Sequence, residues 1–142
     1  MTHRYIGTKE VVAWAAEKDG KPGYGVKYAD GYTSWSPKAA FEESYRTSEP
    51  GMDQSLTFGD ALHYLKLGAK VARTGWNGKG MFVFLVNGST FNVSRAPLLG
   101  IFPEGTEINY RPHIDIKNVD GSISTWVPSI GDVMAEDWAV LI

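Results

Sequence analysis

A glycine-rich loop around one tryptophan is the first stretch whose residue types suit ligand chemistry. The sequence from Arg73 to Gly80 holds three glycines, which free the backbone, and it places Trp76 and Asn77 among polar donors. An indole that stacks on nucleobases contributes roughly 1 to 3 kcal/mol per base. We therefore predict that this loop binds a flat, polar ligand. The alternative is that Trp76 is a core residue beside an ordinary turn.

A second candidate is the stretch 108–117, in which apolar and polar residues alternate. Its polar positions are Asn109, Arg111, His113, Asp115 and Lys117. Because side chains alternate between the two faces of a strand, we expect one apolar and one polar face here. Pro112 cannot donate to a ladder, which predicts an edge strand or a bulge. Arg111 has the geometry to clamp a phosphate, and cross-strand ion pairing is the competing interpretation.

Signals for catalysis are few. The best pair is His113 with Asp115, whose carboxylate would orient the imidazole for acid–base chemistry, although a surface hydrogen-bonded pair explains the same spacing. The chain has no cysteine and lacks the motifs of phosphate-binding loops, serine hydrolases and zinc proteases. Three scattered histidines do not suggest a metal site. We expect no catalytic residue, no metal and no cofactor.

Charge and composition narrow the class of protein. The 142 residues carry a net charge of -2, so binding of DNA or RNA through phosphate neutralisation is not expected. Neither a long apolar run nor a signal-peptide pattern occurs, which favours a cytosolic protein without membrane contact. Aromatic residues make up 13% of the chain, and that share leaves some for stacking surfaces or subunit contacts.

A helix before the tryptophan loop is expected to position it. Thr57 and Asp60 have the spacing of a capping box, and Gly68 supplies a left-handed residue that ends the helix. The buried stripe of this helix is predicted to be Phe58, Ala61, Leu62 and Leu65. Tyr64 falls beside the stripe and is therefore expected to face sideways out of the core.

Strands after the loop are expected to complete a sheet. Residues 81–86 are apolar without interruption, which predicts a strand covered on both faces. Asn87-Gly88 predicts a hairpin that pairs residues 90–93 back against this strand. Residues 134–137 are predicted to form a single turn, and residues 138–142 a final strand.

The beginning of the chain reads as a separate module. It combines an alternating strand at 24–28, a hairpin turn at Asp30-Gly31 and a helix at 37–46 with Ser36 as its N-cap. We expect this helix to bury Ala40, Phe41 and Tyr45.

The aperiodic segment 47–53 contains Pro50-Gly51 and marks a domain boundary. We predict a small module at residues 1–48 and a larger domain at 54–142. The predicted fold class is α+β, a twisted antiparallel β-sheet packed on one main helix and preceded by a small β-hairpin plus helix module.

Four motifs in this order resemble a phage family called Thoeris anti-defence protein two, formerly a domain of unknown function. They are Leu-Thr-Phe-Gly-Asp-Ala-Leu from residue 56, Val-Ala-Arg-Thr-Gly-Trp-Asn-Gly-Lys-Gly-Met-Phe from residue 71, Asn-Tyr-Arg-Pro-His-Ile-Asp from residue 109, and Ala-Glu-Asp-Trp from residue 135. The resemblance covers about residues 54–142. Residues 4–46 resemble a small phage domain of unknown function, with Gly-Tyr-Thr-Ser-Trp-Ser-Pro as its signature.

The resemblance implies a sponge rather than an enzyme. Proteins of this family bind cyclic ADP-ribose isomers made by TIR-domain defence proteins and hold them intact, and some also bind cyclic oligonucleotides at a separate site. The resemblance further implies a homo-oligomer, a tetramer or dimer with ligand pockets between protomers, that acts in the cytoplasm of the infected bacterial host. The additional module at the start of the chain bears on the oligomeric state, since it could cover or replace a subunit contact.

The positions of the motifs imply that Trp76 and Tyr64 correspond to two site residues of the family. These two side chains are expected to sandwich the base or ribose. Polarity and loop placement suggest that Arg111 meets the pyrophosphate. The residues expected to bond hydroxyls and base edges are Asn77, Asn109, His113, Ser129 and Asp132.

Two other functions remain open at this point. The first is a hydrolase of the same signal that uses His113 and Asp115. The second is a structural or interaction protein of the phage particle, in which the aromatic residues serve subunit packing.

Overall fold

The computed structural model describes residues 1–141 and divides into two compact units, Met1–Arg46 and Thr47–Ile142. Its described residues form ten strands and three helices, and the ladders between these strands are all antiparallel. The predicted α+β class is confirmed. No helix within residues 1–141 has the length and apolar character needed to cross a membrane.

The first unit is a three-stranded sheet with one short helix. Its elements are β1 (Val12–Ala15), β2 (Gly23–Lys27), β3 (Thr33–Pro37) and α1 (Lys38–Ser44), with β2 in the centre. Gly25 allows the indole of Trp14 to lie directly on the backbone of β2, because a Cβ at this position would collide with the ring.

The helix of the first unit is shorter than predicted and begins differently. Ser36 belongs to β3, and Pro37 precedes α1 without a side-chain cap. Phe41 and Tyr45 are half-buried rather than buried, and Ala40 is exposed. The Phe41 ring stacks between the rings of Tyr24 and Tyr45 instead of entering a closed core.

The second unit contains a five-stranded sheet, a two-stranded sheet and two helices. Its elements are α2 (Phe58–Lys66), β4 (Val71–Arg73), β5 (Phe82–Val86), β6 (Ser89–Asn92), β7 (Glu107–Tyr110), β8 (His113–Lys117), β9 (Ile123–Thr125), α3 (Ile130–Met134) and β10 (Trp138–Val140). The five-stranded sheet has the order β10-β4-β5-β8-β9, and β6 pairs with β7.

Helix α2 begins and ends where the sequence predicts. Thr57 Oγ1 accepts a hydrogen bond from the Asp60 amide at 3.2 Å, and Asp60 Oδ2 accepts one from the Thr57 amide at 3.0 Å. Gly68 follows with a φ of 91°, a left-handed conformation that glycine adopts without strain. Ala61 and Leu65 are the buried positions of the predicted stripe.

One face of the five-stranded sheet packs on α2 and forms the core. The buried core residues are Leu56, Ala61, Leu65, Val71, Val83, Ile116, Trp138 and Val140. Trp138 is fully buried, and its Nε1 donates to the carbonyl oxygen of Asp132 at 2.9 Å. The chain segment after β9 is therefore tied to β10 through the core.

The predicted hairpin at Asn87-Gly88 is wrong. Strand β5 lies between β4 and β8, whereas β6 pairs with β7 in another sheet. A Cβ on Gly88 would collide with the carbonyl oxygen of Tyr110, and Gly88 lacks the positive φ of a tight hairpin turn. Glycine is needed here because the backbone of another segment approaches closely. The resulting Asn-Gly dipeptide is identical to the one that is typical of a hairpin turn.

The predicted single strand at 108–117 is also wrong. Strand β7 ends at Tyr110 and β8 begins at His113, with Arg111 and Pro112 between them. Strand β8 lies inside the sheet between β5 and β9, so it is not an edge strand. Pro112 has no N–H for a ladder, and the chain changes sheets at this point.

Near the end of the chain, the observed bounds of the helix and strand differ from the predicted ones. The short helix α3 occupies Ile130–Met134, ahead of the turn predicted at 134–137. The final strand spans Trp138–Val140, and Ile142, the last residue of the predicted strand, lies outside the described residues.

Candidate ligand site around Trp76

The loop between β4 and β5 presents Trp76 beside two other tryptophans. The Trp76 ring is half-buried and meets the Trp138 ring edge-on, with centroids 5.4 Å apart. It meets the Trp126 ring at 6.4 Å, again edge-on. Edge-to-face pairs of this kind suit the charge distribution of aromatic rings. Trp76 therefore has a defined orientation at the border of the core.

Asp132 connects this ring to a guanidinium. Its Oδ1 accepts from Trp76 Nε1 at 3.2 Å and from Arg73 Nη1 at 2.9 Å. Its Oδ2 accepts from the Ser129 amide at 3.1 Å, and the Ser129 hydroxyl accepts in return from the Asp132 amide. Both carboxylate oxygens of Asp132 are thus engaged within the protein.

Asp137 holds the start of the loop from the other side of Arg73. Its Oδ1 accepts from Arg73 Nε at 2.8 Å, and its Oδ2 accepts from the Gly75 amide at 2.8 Å. Its carbonyl oxygen accepts from the Thr74 amide at 3.0 Å. A Cβ on Gly75 would lie about 2.5 Å from Asp137 Oδ2, so any larger residue here would displace that carboxylate. We refer to Arg73, Trp76, Trp126, Asp132, Asp137 and Trp138 together as the Trp76 cluster.

The charges of the Trp76 cluster support one another. Burial alone would raise the pKa of Asp132, but hydrogen bonds from Arg73, Trp76 and Ser129 hold that pKa below its usual value. The hydrogen bond from Arg73 is the main cause that lowers the pKa of Asp137. The same two carboxylates raise the pKa of Arg73. Both acids are therefore ionised at neutral pH, and the charge of Arg73 is already balanced.

Tyr64 lies on the second half of α2. Its hydroxyl donates to Ser48 Oγ at 2.7 Å, and its ring meets the His63 ring edge-on. Phe58, at the start of the same helix, is the residue that packs against Trp126 and Trp138. Six residues of helix separate Phe58 from Tyr64 by about 9 Å along the axis. The contacts of Tyr64 with Ser48 and His63 do not involve Trp76.

Three predicted polar residues have free side chains within the described chain. Asn77 is exposed in the tryptophan loop, Asn109 is exposed on β7, and Arg111 is exposed between β7 and β8. None of the three side chains makes a hydrogen bond or ion pair with another residue of the described range 1–141. They remain available to a ligand or partner.

His113 begins β8 and contacts Asp115. Its Nε2 lies 3.1 Å from Asp115 Oδ1, as the spacing of the two residues predicts. The Asp115 side chain is 17% exposed and that of His113 is 43% exposed. We refer to residues 109–113 as the Arg111 stretch. Of the predicted site residues, the structure joins Trp76, Ser129 and Asp132 through hydrogen bonds, and it leaves the Arg111 stretch apart from that network.

Sequence reasoning missed most of the Trp76 cluster. The sequence predicts no site role for Arg73, Trp126, Asp137 or Trp138, although the Ala-Glu-Asp-Trp motif contains two of them. The available signal was the short segment of acids and aromatic residues near the end of the chain. Its pairing with Arg73 depends on the antiparallel contact of β4 with β10, which residue spacing does not reveal.

A surface cavity lies elsewhere in the second unit. It has a volume of about 820 Å³ and is bordered by β6, β7 and the segment that follows β6. Its lining includes Phe91, Arg95 and Tyr110, and none of the predicted site residues. Within residues 1–141 no group of three or more histidine, aspartate or glutamate side chains has the geometry to hold a metal ion.

Comparison with known proteins gives a family for the second unit. A family model described as Thoeris anti-defense 2-like domain matches residues 56–141. A curated relative, Thoeris anti-defense 2 of Bacillus phage SP01, is 43% identical over 93 residues, which cover 63% of this chain and 99% of the relative. The family match includes every residue of the Trp76 cluster and of the Arg111 stretch, and it leaves the first unit outside.

Proposed function

The chain belongs to the Thoeris anti-defense 2-like family, and from this membership we propose that it binds and sequesters a cyclic ADP-ribose-type immune signal without cleaving it. Family membership supports the coarser role, that of a phage protein acting against Thoeris defence. The finer proposal concerns the ligand and the way it is held. It places the action in the cytoplasm of the infected host, where the signal is made.

The observation that carries the proposal is the fixed orientation of Trp76. Its indole N–H donates to Asp132, the Thr74 and Gly75 amides before it donate to Asp137, and the Arg73 side chain donates to both acids. A ring held in this way loses little freedom when a ligand stacks on it, and preorganisation of this kind strengthens binding. A sponge also needs complementarity to the intact signal rather than to a transition state.

The roles of the predicted residues divide accordingly. In the proposed site Trp76 stacks on the base or ribose, and Asn77 lies next to it in the same loop. Arg111 meets the pyrophosphate, because its exposed guanidinium has no counter-ion among residues 1–141. Asn109 and His113 bond hydroxyls from the same stretch. Ser129 and Asp132 contribute by holding Trp76, since their polar atoms are already hydrogen-bonded.

No hydrogen bond joins the side chains of these two groups within residues 1–141, and the family resemblance favours a site shared between protomers. We propose a homo-oligomer, a tetramer or dimer, in which the Trp76 cluster of one protomer and the Arg111 stretch of another close on the same ligand. Tyr64 is proposed as the second stacking surface, with its hydroxyl bound to Ser48 Oγ. Cyclic oligonucleotides are proposed as further ligands of the same assembly.

Calorimetric titration tests the proposal. A cyclic ADP-ribose isomer added to the full chain is expected to bind with saturable heat. The Trp76→Ala and Arg111→Ala variants are each expected to bind at least tenfold more weakly, which corresponds to about 1.4 kcal/mol. Absence of heat with every cyclic nucleotide would favour the alternative of a phage structural or interaction protein.

One observation favours a second candidate function, hydrolysis of the same signal. The 3.1 Å contact between His113 and Asp115 is the arrangement that a general base requires. A hydrolase would convert the ligand in a time course that His113→Gln abolishes. The sponge predicts no conversion by either protein.

A further inference from the structure

Two tryptophans lie side by side on one face of the three-stranded sheet in the first unit. Trp14 of β1 and Trp35 of β3 both pair with Gly25 of β2, so their side chains project from the same face. The indole of Trp14 lies over Gly25, where a Cβ would collide with the ring. The indole of Trp35 lies over Gly23 in the same way. Because these glycines are two residues apart on β2, the two rings are neighbours about 7 Å apart along the strand.

Both indoles are accessible on this face, because the helix of the unit packs on the other one. Phe41 of α1 stacks on Tyr24, which alternates with the two glycines of β2, at a centroid distance of 4.2 Å. Trp35 is half-buried, and its Nε1 donates to the carbonyl oxygen of Ala16 at 2.8 Å. Trp14 is 48% exposed, and its indole N–H has no partner within residues 1–141.

Three lysines share the face of the tryptophans. The register of β1 with β2 continues to Lys18 and Lys21, which exchange two backbone hydrogen bonds of 3.0 Å. Each lies four residues from the pair of Trp14 with Gly25, an even number, so both share the face of that pair. Lys27 lies two residues from Gly25 in the other direction and projects from the same face. The lysines therefore occupy both ends of the tryptophan pair, and β2 spans about 20 Å from the first end to the second.

No carboxylate balances these lysines within the described residues. None of the three forms an ion pair within residues 1–141, and the strands β1, β2 and β3 contain no acidic residue. Glu17 alternates to the opposite face, and Asp19 lies at the tip of the turn between Lys18 and Lys21. Like charges directly opposite each other destabilise a strand pair, so an anion bound here stabilises it. The net charge of -2 belongs to the whole chain and does not reveal this local excess of positive charge.

Flat stacking surfaces between cationic side chains suit single-stranded nucleic acid. Nucleobases stack on aromatic side chains whatever their sequence, and lysines bind the phosphates between them. The Nζ of Lys18 already lies 5.8 Å from the ring centroid of Trp35, which places charge beside a stacking surface. The spacing of the indoles is about twice the rise per nucleotide of one strand in duplex DNA. Bases on both indoles are therefore separated from each other, as in an extended single strand and unlike a duplex.

We propose that this face of the first unit binds single-stranded nucleic acid. Successive bases stack on Trp35 and Trp14, and the phosphates contact Lys18, Lys21 and Lys27. The length of about 20 Å accommodates about three nucleotides at the spacing of the indoles. The face lies outside residues 56–141, which match the family, and its function does not depend on the site proposed around Trp76.

Fluorescence polarisation of end-labelled hexathymidylate and hexauridylate, titrated with the full chain, tests the proposal and distinguishes DNA from RNA. Trp14→Leu keeps an apolar group over Gly25 and removes the stacking surface. Tyr45→Leu is its matched control, because it removes a half-buried ring from the side of the sheet that carries α1.

Lys21→Gln and Lys27→Gln remove one charge each from the tryptophan face, and Lys38→Gln removes one from α1. These three lysines are exposed, so their variants keep the test decisive if Trp14→Leu does not fold. Circular dichroism and the thermal unfolding midpoint establish that each variant is folded.

We expect Trp14→Leu to weaken binding by roughly 5- to 100-fold, the range for the loss of one stacked base. Lys21→Gln and Lys27→Gln should each reduce the slope of log affinity against log salt concentration by about 0.7. Tyr45→Leu and Lys38→Gln should bind like the wild type. Equal affinity for the two oligonucleotides assigns recognition to bases and phosphates, and tighter binding of hexauridylate adds the 2′-hydroxyl.

Three results would overturn the proposal. The first is that neither oligonucleotide binds at millimolar concentration. The second is that folded Trp14→Leu, or both lysine variants of the tryptophan face, bind like the wild type. The third is that inorganic polyphosphate, which has no bases, competes as well as an unlabelled oligonucleotide of equal charge.

Discussion

Two polar regions of the second unit differ in what their side chains already bind. In the Trp76 cluster, Arg73 is paired with Asp132 and Asp137, and these carboxylates also hold the loop amide and the indole. In the Arg111 stretch, the side chains of Asn109 and Arg111 are exposed and have no partner within residues 1–141. The difference is between a region that fixes an aromatic ring and a region whose exposed polar side chains are unpaired within the described residues, which is why we propose the second region for recognition.

Arg73→Ala should give the largest loss of stability. It leaves two partly buried carboxylates without their counter-charge, since the Asp132 and Asp137 side chains are 12% and 30% exposed. We expect a loss of roughly 2 to 4 kcal/mol in the free energy of unfolding, between the values for exposed and buried pairs. Urea denaturation measures this quantity.

Arg95→Ala is the matched control, because Arg95 is exposed in the same unit and has no ion pair within the described chain. It should change the free energy of unfolding by less than about 0.5 kcal/mol. If the two arginine variants were equally stable, the ion pairs of Arg73 would not stabilise the Trp76 cluster.

Trp76→Ala should follow, with a loss of roughly 1 to 3 kcal/mol. The ring is half-buried, so its removal costs less than the 3 to 5 kcal/mol typical of a fully buried tryptophan. Phe58→Ala removes another half-buried ring from the same aromatic group and should destabilise by a similar amount. Calorimetry separates the two variants, because only Trp76→Ala is expected to lose ligand affinity. Equal losses of affinity would assign Trp76 a purely structural role.

Low pH should remove the contribution of the Trp76 cluster to the free energy of unfolding. The pKa values of Asp132 and Asp137 are lowered in the folded state, so their ionised forms stabilise the protein above the unfolded pKa of about 3.9. That contribution is lost as the pH falls through the lowered folded values. Urea denaturation between pH 7 and pH 3 should show this loss.

The double variant Asp132→Asn with Asp137→Asn is the control for the acid prediction. It should be less stable at pH 7 and should depend less on pH over the same range than the wild type. An unchanged pH dependence would mean that these two acids do not control acid stability.

Arg111→Ala should give the smallest change in stability. Its side chain is exposed and unpaired within the described residues, so the free energy of unfolding should stay within about 0.5 kcal/mol of the wild type. Ligand affinity should nevertheless fall at least tenfold, because a charge-assisted contact with the pyrophosphate is lost. A stable variant with unchanged affinity would remove Arg111 from the site.

Two local signals in the sequence predicted the structure around them. Thr57, Asp60 and Gly68 determine the bounds of α2 through hydrogen bonds and a backbone conformation that involve only nearby residues. The contact of His113 with Asp115 follows likewise from the alternation of side chains along one strand. Such features depend on spacing alone, and spacing is visible in a sequence.

Features that depend on distant partners were not predictable in the same way. Asn87-Gly88 reads as a hairpin, but Gly88 is required for a close approach to Tyr110, which is distant in sequence. The Trp76 cluster joins residues about sixty positions apart through the pairing of β4 with β10. The family resemblance located Trp76, whereas the structure was needed to find the ion pairs that hold it.

Recovery of the ligand tests the central claim most directly. The full chain is incubated with a cyclic ADP-ribose isomer made by a TIR-domain enzyme, freed of unbound ligand and denatured by heat, and the released material is identified by mass spectrometry. Sequestration predicts release of the intact cyclic molecule in a fixed ratio to protein. Recovery of a linear or hydrolysed product, or of no ligand at all, would contradict it.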